Sequence, residues 1–169
     1  MPEIINVQPG EISKIFNFYD MAIEYQKTKF DKTWQSFDQS LIKTELDEKR
    51  QWKIMEEDNI ACIFAITYED PFIWGEKDKD PAMYIHRIVT HPDYHGRNYV
   101  KHIAAWAKQH AVSMGKKFIR MDTWGDNEKL INYYQQCGFK YLGSTVPERS
   151  KQLPEHYSAI YLSLFEIAL

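Results

Sequence analysis

Residues 84–101, YIHRIVTHPDYHGRNYVK, limit the possible folds more than any other part of this chain. An apolar strand runs through Pro92 and the lone Gly96 into the first turn of a long helix. Such a bend turns backbone N–H groups and the positive end of a helix dipole onto one spot, a combination that favours phosphate. A compound carrying a phosphate tail is therefore expected here.

The rest of the chain has the elements to support that bend. Ile4 to Val7 reads as a strand, and Ile12, Ile15, Phe16, Tyr19 and Ile23 then recur at helical spacing. A second helix is expected from about Phe37 to Leu46. Trp52 to Glu56 and Ile60 to Tyr68 read as strands joined by the turn-prone Glu57, Asp58 and Asn59, as in an antiparallel hairpin. Glu69 to Pro81, rich in acids and punctuated by prolines, reads as a loop with exposed Phe72, Ile73 and Trp74. It serves either as a surface connection whose aromatics fold back or as a wall of a substrate cleft or dimer contact. After the strand Met83 to Thr90 comes a helix from about Arg97 to Met114, with Val100, Ile103, Ala104, Ala107, Ala111 and Met114 on one face and Gly115 at its end. Phe118 to Thr123 is a strand. Asp126 or Asn127 can cap a helix running to Cys137, and Gly138 suits the left-handed position beyond it. Phe139 to Ser144 and Ser158 to Ile167 read as two last strands. This order implies an α/β fold with helices on the faces of a mixed sheet.

Length and composition exclude several classes. At 169 residues, 44% hydrophobic and 27% charged, the chain fits one globular domain, residues 1–169. A net charge of -3 gives no general field for nucleic acid or an anionic membrane. The N-terminal residues lack the pattern of a signal peptide and no window suits a membrane span, so a cytoplasmic location is expected. Cys62 and Cys137 have neither metal nor redox spacing and read as buried thiols. No metal is expected: His91 and His95 would meet on a helix, but Pro92 and Gly96 place them in a loop.

At the bend, Gly96 allows close backbone approach, Arg97 adds a fixed charge, and the first-turn N–H groups can face phosphate oxygens. A turn of this kind is also a common helix start with a solvated arginine. The segment Asn127 to Phe139, NEKLINYYQQCGF, decides between these readings, because it follows the bend by one helix and one strand. Together the two segments resemble the GNAT acetyltransferase superfamily. Its pyrophosphate turn is commonly written Q/R-x-x-G-x-G/A, and its later segment N-x-x-A-x-x-x-Y-x-x-x-G-F; Asn127 and Tyr134 match the latter in spacing. The turn departs from the pattern, since His95, Gly96, Arg97, Asn98, Tyr99 and Val100 include only one of the expected small residues. Asn98 can hold a glycine's left-handed geometry at modest cost, and His95 makes the charge at that position depend on pH. The branched Val100 sits where close backbone approach is usual.

The resemblance implies a single-domain GNAT-like fold: a mixed, mostly antiparallel central sheet of about six to seven strands and about four helices. It implies acetyl-CoA as the co-substrate, with CoA as product. Ile88, Val89 and Thr90 would offer backbone groups to the pantetheine arm, His95 to Val100 would hold the pyrophosphate, and Asn127 would reach the pantetheine side. Tyr134 would protonate the departing thiolate, although a helix tyrosine can also serve packing alone. Direct transfer needs an uncharged amine and therefore a base. His86, on the same face of its strand as Ile88 by simple alternation, is the candidate, with Glu56 and Asp122 behind it. A hydrogen-bonded core histidine is the other reading of His86. The implied reaction is acetylation of a primary amine on a small molecule or peptide. A non-catalytic GNAT-like module that binds acyl-CoA or a protein is the alternative, and a homodimer is possible by analogy.

Overall fold

A computed structural model describes residues 2–29, 33–125, 127–146 and 161–169. Among these described residues, seven strands hydrogen-bond in the order β1-β2-β3-β4-β5-β7-β6. They are β1 (Glu3–Asn6), β2 (Gln51–Glu56), β3 (Asn59–Thr67), β4 (Ala82–Thr90), β5 (Phe118–Trp124), β6 (Lys140–Thr145) and β7 (Leu162–Ala168). Among the described residues the α-helices are α1 (Ile12–Lys29), α2 (Gln39–Asp47), α3 (Pro71–Trp74), α4 (Tyr99–Ser113) and α5 (Glu128–Gln136). The sheet is mixed and mostly antiparallel, with β4 and β5 running parallel. The first part of the last expected strand, Ser158 to Ile160, and Asp126 as a cap lie outside the described residues.

Two compact units share β4: Met1–Ile66 with Arg87–Arg97, and Thr67–His86 with Asn98–Leu169. In the first, Ile15, Phe18 and Tyr19 of α1 and Ile42 and Leu46 of α2 pack with Ile63 and Val89. A buried polar network crosses this core. Glu45 of α2 accepts from Gln51 Nε2 at 2.9 Å and from the Arg87 guanidinium, which also lies over the rings of Tyr19 and Phe37. The buried carboxylate and the largely buried guanidinium thus compensate each other, as burial requires. Arg87 itself has φ 53° in mid-strand. A left-handed residue inside a strand is the mark of a bulge and breaks the regular alternation of side chains.

In the second unit, β5 pairs with β4 only over Ala82–Tyr84 and Phe118–Arg120, and antiparallel with β7 along its whole length. The segment 69–81 is not the loop expected from its composition. It forms α3 and a 3-10 turn over Gly75–Lys79, and Ile73 and Trp74 are buried with Tyr84, Ala82 and Leu162. Arg120 explains why: fully buried, it donates to Asp80, Glu166 and the carbonyl of Lys77, and lies 4.9 Å from the rings of Trp74 and Phe118. Of the two expected buried thiols, Cys62 is buried and Cys137 is only half-buried.

Candidate active site

The bend after β4 has the backbone its sequence anticipated. Pro92–Tyr94 form a 3-10 turn, Gly96 has φ 82° with open space before it, and Asn98 sits at the N-cap of α4 in the left-handed region, at φ 58° and ψ 41°. The helix is therefore entered without a side-chain cap, and by helix geometry the N–H groups of Tyr99 and Val100 have no intrahelical acceptor. Tyr99 and Val100 are themselves buried, so the branched Val100 side chain belongs to the packing of α4 and only its backbone remains for a ligand. His95, Gly96, Arg97 and Asn98 are exposed. His95 Nε2 lies 3.2 Å from the carbonyl oxygen of Thr90, its ring edge-on to Tyr25, and the Arg97 guanidinium lies over Tyr94 at 5.0 Å.

Beside this bend, the first unit has a groove of about 600 Å³. Ile88, Val89, Thr90 and His95 line one side and Met21, Tyr25 and Gln26 of α1 line the other, with Trp34. Four of the residues expected to bind cofactor thus meet around one space. The α1 residues and Trp34 were not singled out by the sequence, where their spacing signals only an amphipathic helix and the segment after it.

His86 has other neighbours. Ile88 lines the groove of the first unit, and His86 in the second unit lies with Asp70 and Asp122. Its Nε2 lies 3.2 Å from Asp70 Oδ2, and one ligating atom from each of the three residues falls within 4.8 Å of the others. Burial pushes the Asp122 carboxyl up to about 6; His86 opposes that rise and the negative Asp70 adds to it. Sequence reasoning missed Asp70, whose only signal was an aspartate ahead of Pro71 in an acid-rich segment.

Asn127 caps α5, its Oδ1 accepting from the N–H groups of Lys129 at 3.0 Å and Leu130 at 3.3 Å. Gly138, at φ 105°, closes the helix, and the N–H of Phe139 donates to the carbonyl of Tyr134. Tyr134 is buried in the second unit, its ring 5.1 Å from that of Phe165 and edge-on to Phe139. Those contacts hold the phenol on one side of α5. Glu56, the other fallback base, is half-buried at the end of β2 in the first unit.

Residues 16–139 match the Acetyltransferase (GNAT) family, and the chain belongs to that family. Uncharacterized N-acetyltransferase YesJ of Bacillus subtilis is 24% identical over 75 residues, a match covering 44% of this chain and 42% of that protein. A GNAT-family acetyltransferase from Listeria monocytogenes has the same fold, with a TM-score of 0.75 at 21% identity over 98% of this chain and 95% of that one. The fold is also that of yncA from Salmonella typhimurium, solved with acetyl-CoA: TM-score 0.69, 12% identity, 99% of this chain and 94% of that one. The polyamine N-acetyltransferase of Drosophila melanogaster is similar too, with a TM-score of 0.70 at 12% identity and full coverage of both chains.

Proposed function

We propose that residues 1–169 act as one acetyl-CoA-dependent N-acetyltransferase domain, moving acetyl to a primary amine of a small molecule or peptide by direct attack on the thioester. The observation that carries this reading is the backbone of the bend, where left-handed Asn98 opens α4 beside the exposed Gly96 and Arg97. That arrangement offers N–H groups and one fixed positive charge to a diphosphate. The solved complex of yncA with acetyl-CoA supports the choice of ligand.

In this account residues His95 to Val100 hold the pyrophosphate, chiefly through backbone N–H groups and Arg97. Ile88, Val89 and Thr90 offer backbone groups to the pantetheine arm past the Arg87 bulge, and Asn127 serves the same arm with the amide nitrogen that its capping role leaves over. The amine nitrogen attacks the thioester carbonyl carbon, the carbon–sulfur bond breaks, and Tyr134 gives its phenolic proton to the departing thiolate. His86 takes the proton that the attacking nitrogen releases, directly or through water. The groove beside Tyr25 and Trp34 is lined by aromatic and apolar groups, which suits the uncharged parts of a ligand.

The test follows free thiol while the protein is given acetyl-CoA and a panel of primary amines, polyamines and peptide N-termini included. Amine-dependent thiol release supports transfer. Tight CoA binding with no release for any amine supports the non-catalytic module instead.

A further inference from the structure

We infer that Asp70, His86 and Asp122 form a binding site for one divalent first-row transition ion, with Zn²⁺ the best fit. The three residues come from three separate elements: the approach to α3, β4 and β5. Each contributes one ligating atom, and those atoms already lie within 4.8 Å of one another. Metal–ligand bonds of about 2.0–2.1 Å in a tetrahedron put neighbouring ligands about 3.3 Å apart. The separation of His86 Nε2 and Asp70 Oδ2, 3.2 Å, is that edge.

A second observation points the same way. Asp70 Oδ2 is buried and makes no hydrogen bond of acceptable geometry, although it faces the imidazole at ion-pair distance. A buried carboxylate oxygen left in that state is costly, and a cation at the centre of the three groups satisfies it. Two carboxylates and a neutral imidazole also carry the two negative charges that a divalent ion cancels. An imidazole with two oxygens suits zinc, cobalt or manganese better than magnesium or calcium, which prefer oxygen alone. Three protein ligands leave a tetrahedral position for water or another donor.

Binding displaces any proton held by His86 or Asp122 and occupies the imidazole lone pair. An occupied site therefore denies His86 to an attacking amine, and the ion acts as an inhibitor. That consequence rests on the base role proposed above; the site itself does not.

The experiment uses untagged, chelator-treated full-length protein titrated with Zn²⁺ by calorimetry and with Co²⁺ by visible absorption. One ion per chain is expected, with a tetrahedral cobalt band that zinc abolishes and millimolar magnesium leaves intact. Loss of even an outer-shell partner costs about 10- to 100-fold in affinity, so Asp122→Asn, Asp70→Asn and His86→Gln should each weaken binding by at least about tenfold. His91→Gln should bind as the unaltered chain does. Circular dichroism identifies any variant that has lost its fold, and the remaining variants then carry the comparison. Absence of stoichiometric binding, or binding indifferent to all three folded variants, overturns the site. Zinc that fills the site while acetyl transfer continues unchanged counts instead against His86 as the base.

Discussion

The guanidinium of Arg87 reaches across the first unit to the buried carboxylate of Glu45, and this pair holds the one left-handed residue of β4. The bulge that ends regular alternation in β4 is thus tied to α2. Removing the carboxylate takes from the largely buried guanidinium the negative charge it faces in this core. Glu45→Ala should cost about 3–5 kcal/mol in urea unfolding. Weaker acetyl-CoA binding should accompany the loss, because Ile88 to Thr90 follow the bulge directly.

The left-handed Asn98 makes a second prediction. A β-branched residue in that region is strained by about 1–2 kcal/mol, whereas glycine adopts it freely. Asn98→Val should therefore lower thermal stability and weaken CoA binding in calorimetry, and Asn98→Gly should leave both near the level of the unaltered chain. Equal behaviour of the two variants would mean that the conformation of this residue has no part in binding.

Acid sensitivity should run through Glu11. Burial alone would raise its carboxyl, but hydrogen bonds from Lys53 Nζ and the N–H of Gln8, with the charges of Lys53 and Lys14, hold it below its ordinary value of 4.5. A carboxylate whose folded value is depressed stabilises the protein above its unfolded value, and that contribution disappears as pH falls through the lower, folded one. Stability measured by urea should decline below about pH 4.5 more steeply in the unaltered chain than in Glu11→Gln, which begins less stable at pH 7.

The thiols should be quiet. Burial pushes Cys62 up to about 12, with only the Thr90 hydroxyl opposing it, and Cys137 is raised as well, chiefly by burial. Since thiolate is the reactive form, Cys62 should resist a disulfide reagent at pH 8 until the protein is unfolded, and Cys137 should react slowly. Rapid release of two equivalents from folded protein would contradict the packing of β3 and β4. A slow reaction also keeps the background low in assays of CoA release.

Much of this architecture was legible in the residues. The path from strand through Pro92 and Gly96 into α4 was readable because proline, glycine and an apolar helical face each leave a local signal. Asn98 as a left-handed residue, and Asn127 as one of two residues able to cap α5, followed from side-chain chemistry at single positions. The Arg87 bulge was not legible, since arginine has no preference for positive φ and is held there by Glu45, Tyr19 and Phe37, all distant in sequence. Asp70 was missed for the same reason: nothing near Pro71 indicates His86 or Asp122. The helix α3, confined to Pro71–Trp74, is too short to show a period, and Arg120 rather than local propensity anchors the segment around it.

Tyr134→Phe tests the central claim most directly, because Phe139 and Phe165 contact the ring, which the substitution retains, while the proton donor is removed. Amine-dependent thiol release from acetyl-CoA should fall by about 100-fold or more, the scale of a lost general acid, with thermal stability and CoA affinity nearly unchanged. Full turnover in this variant would contradict the role assigned to the phenol, and failure of the unaltered chain to bind acetyl-CoA would contradict the account as a whole.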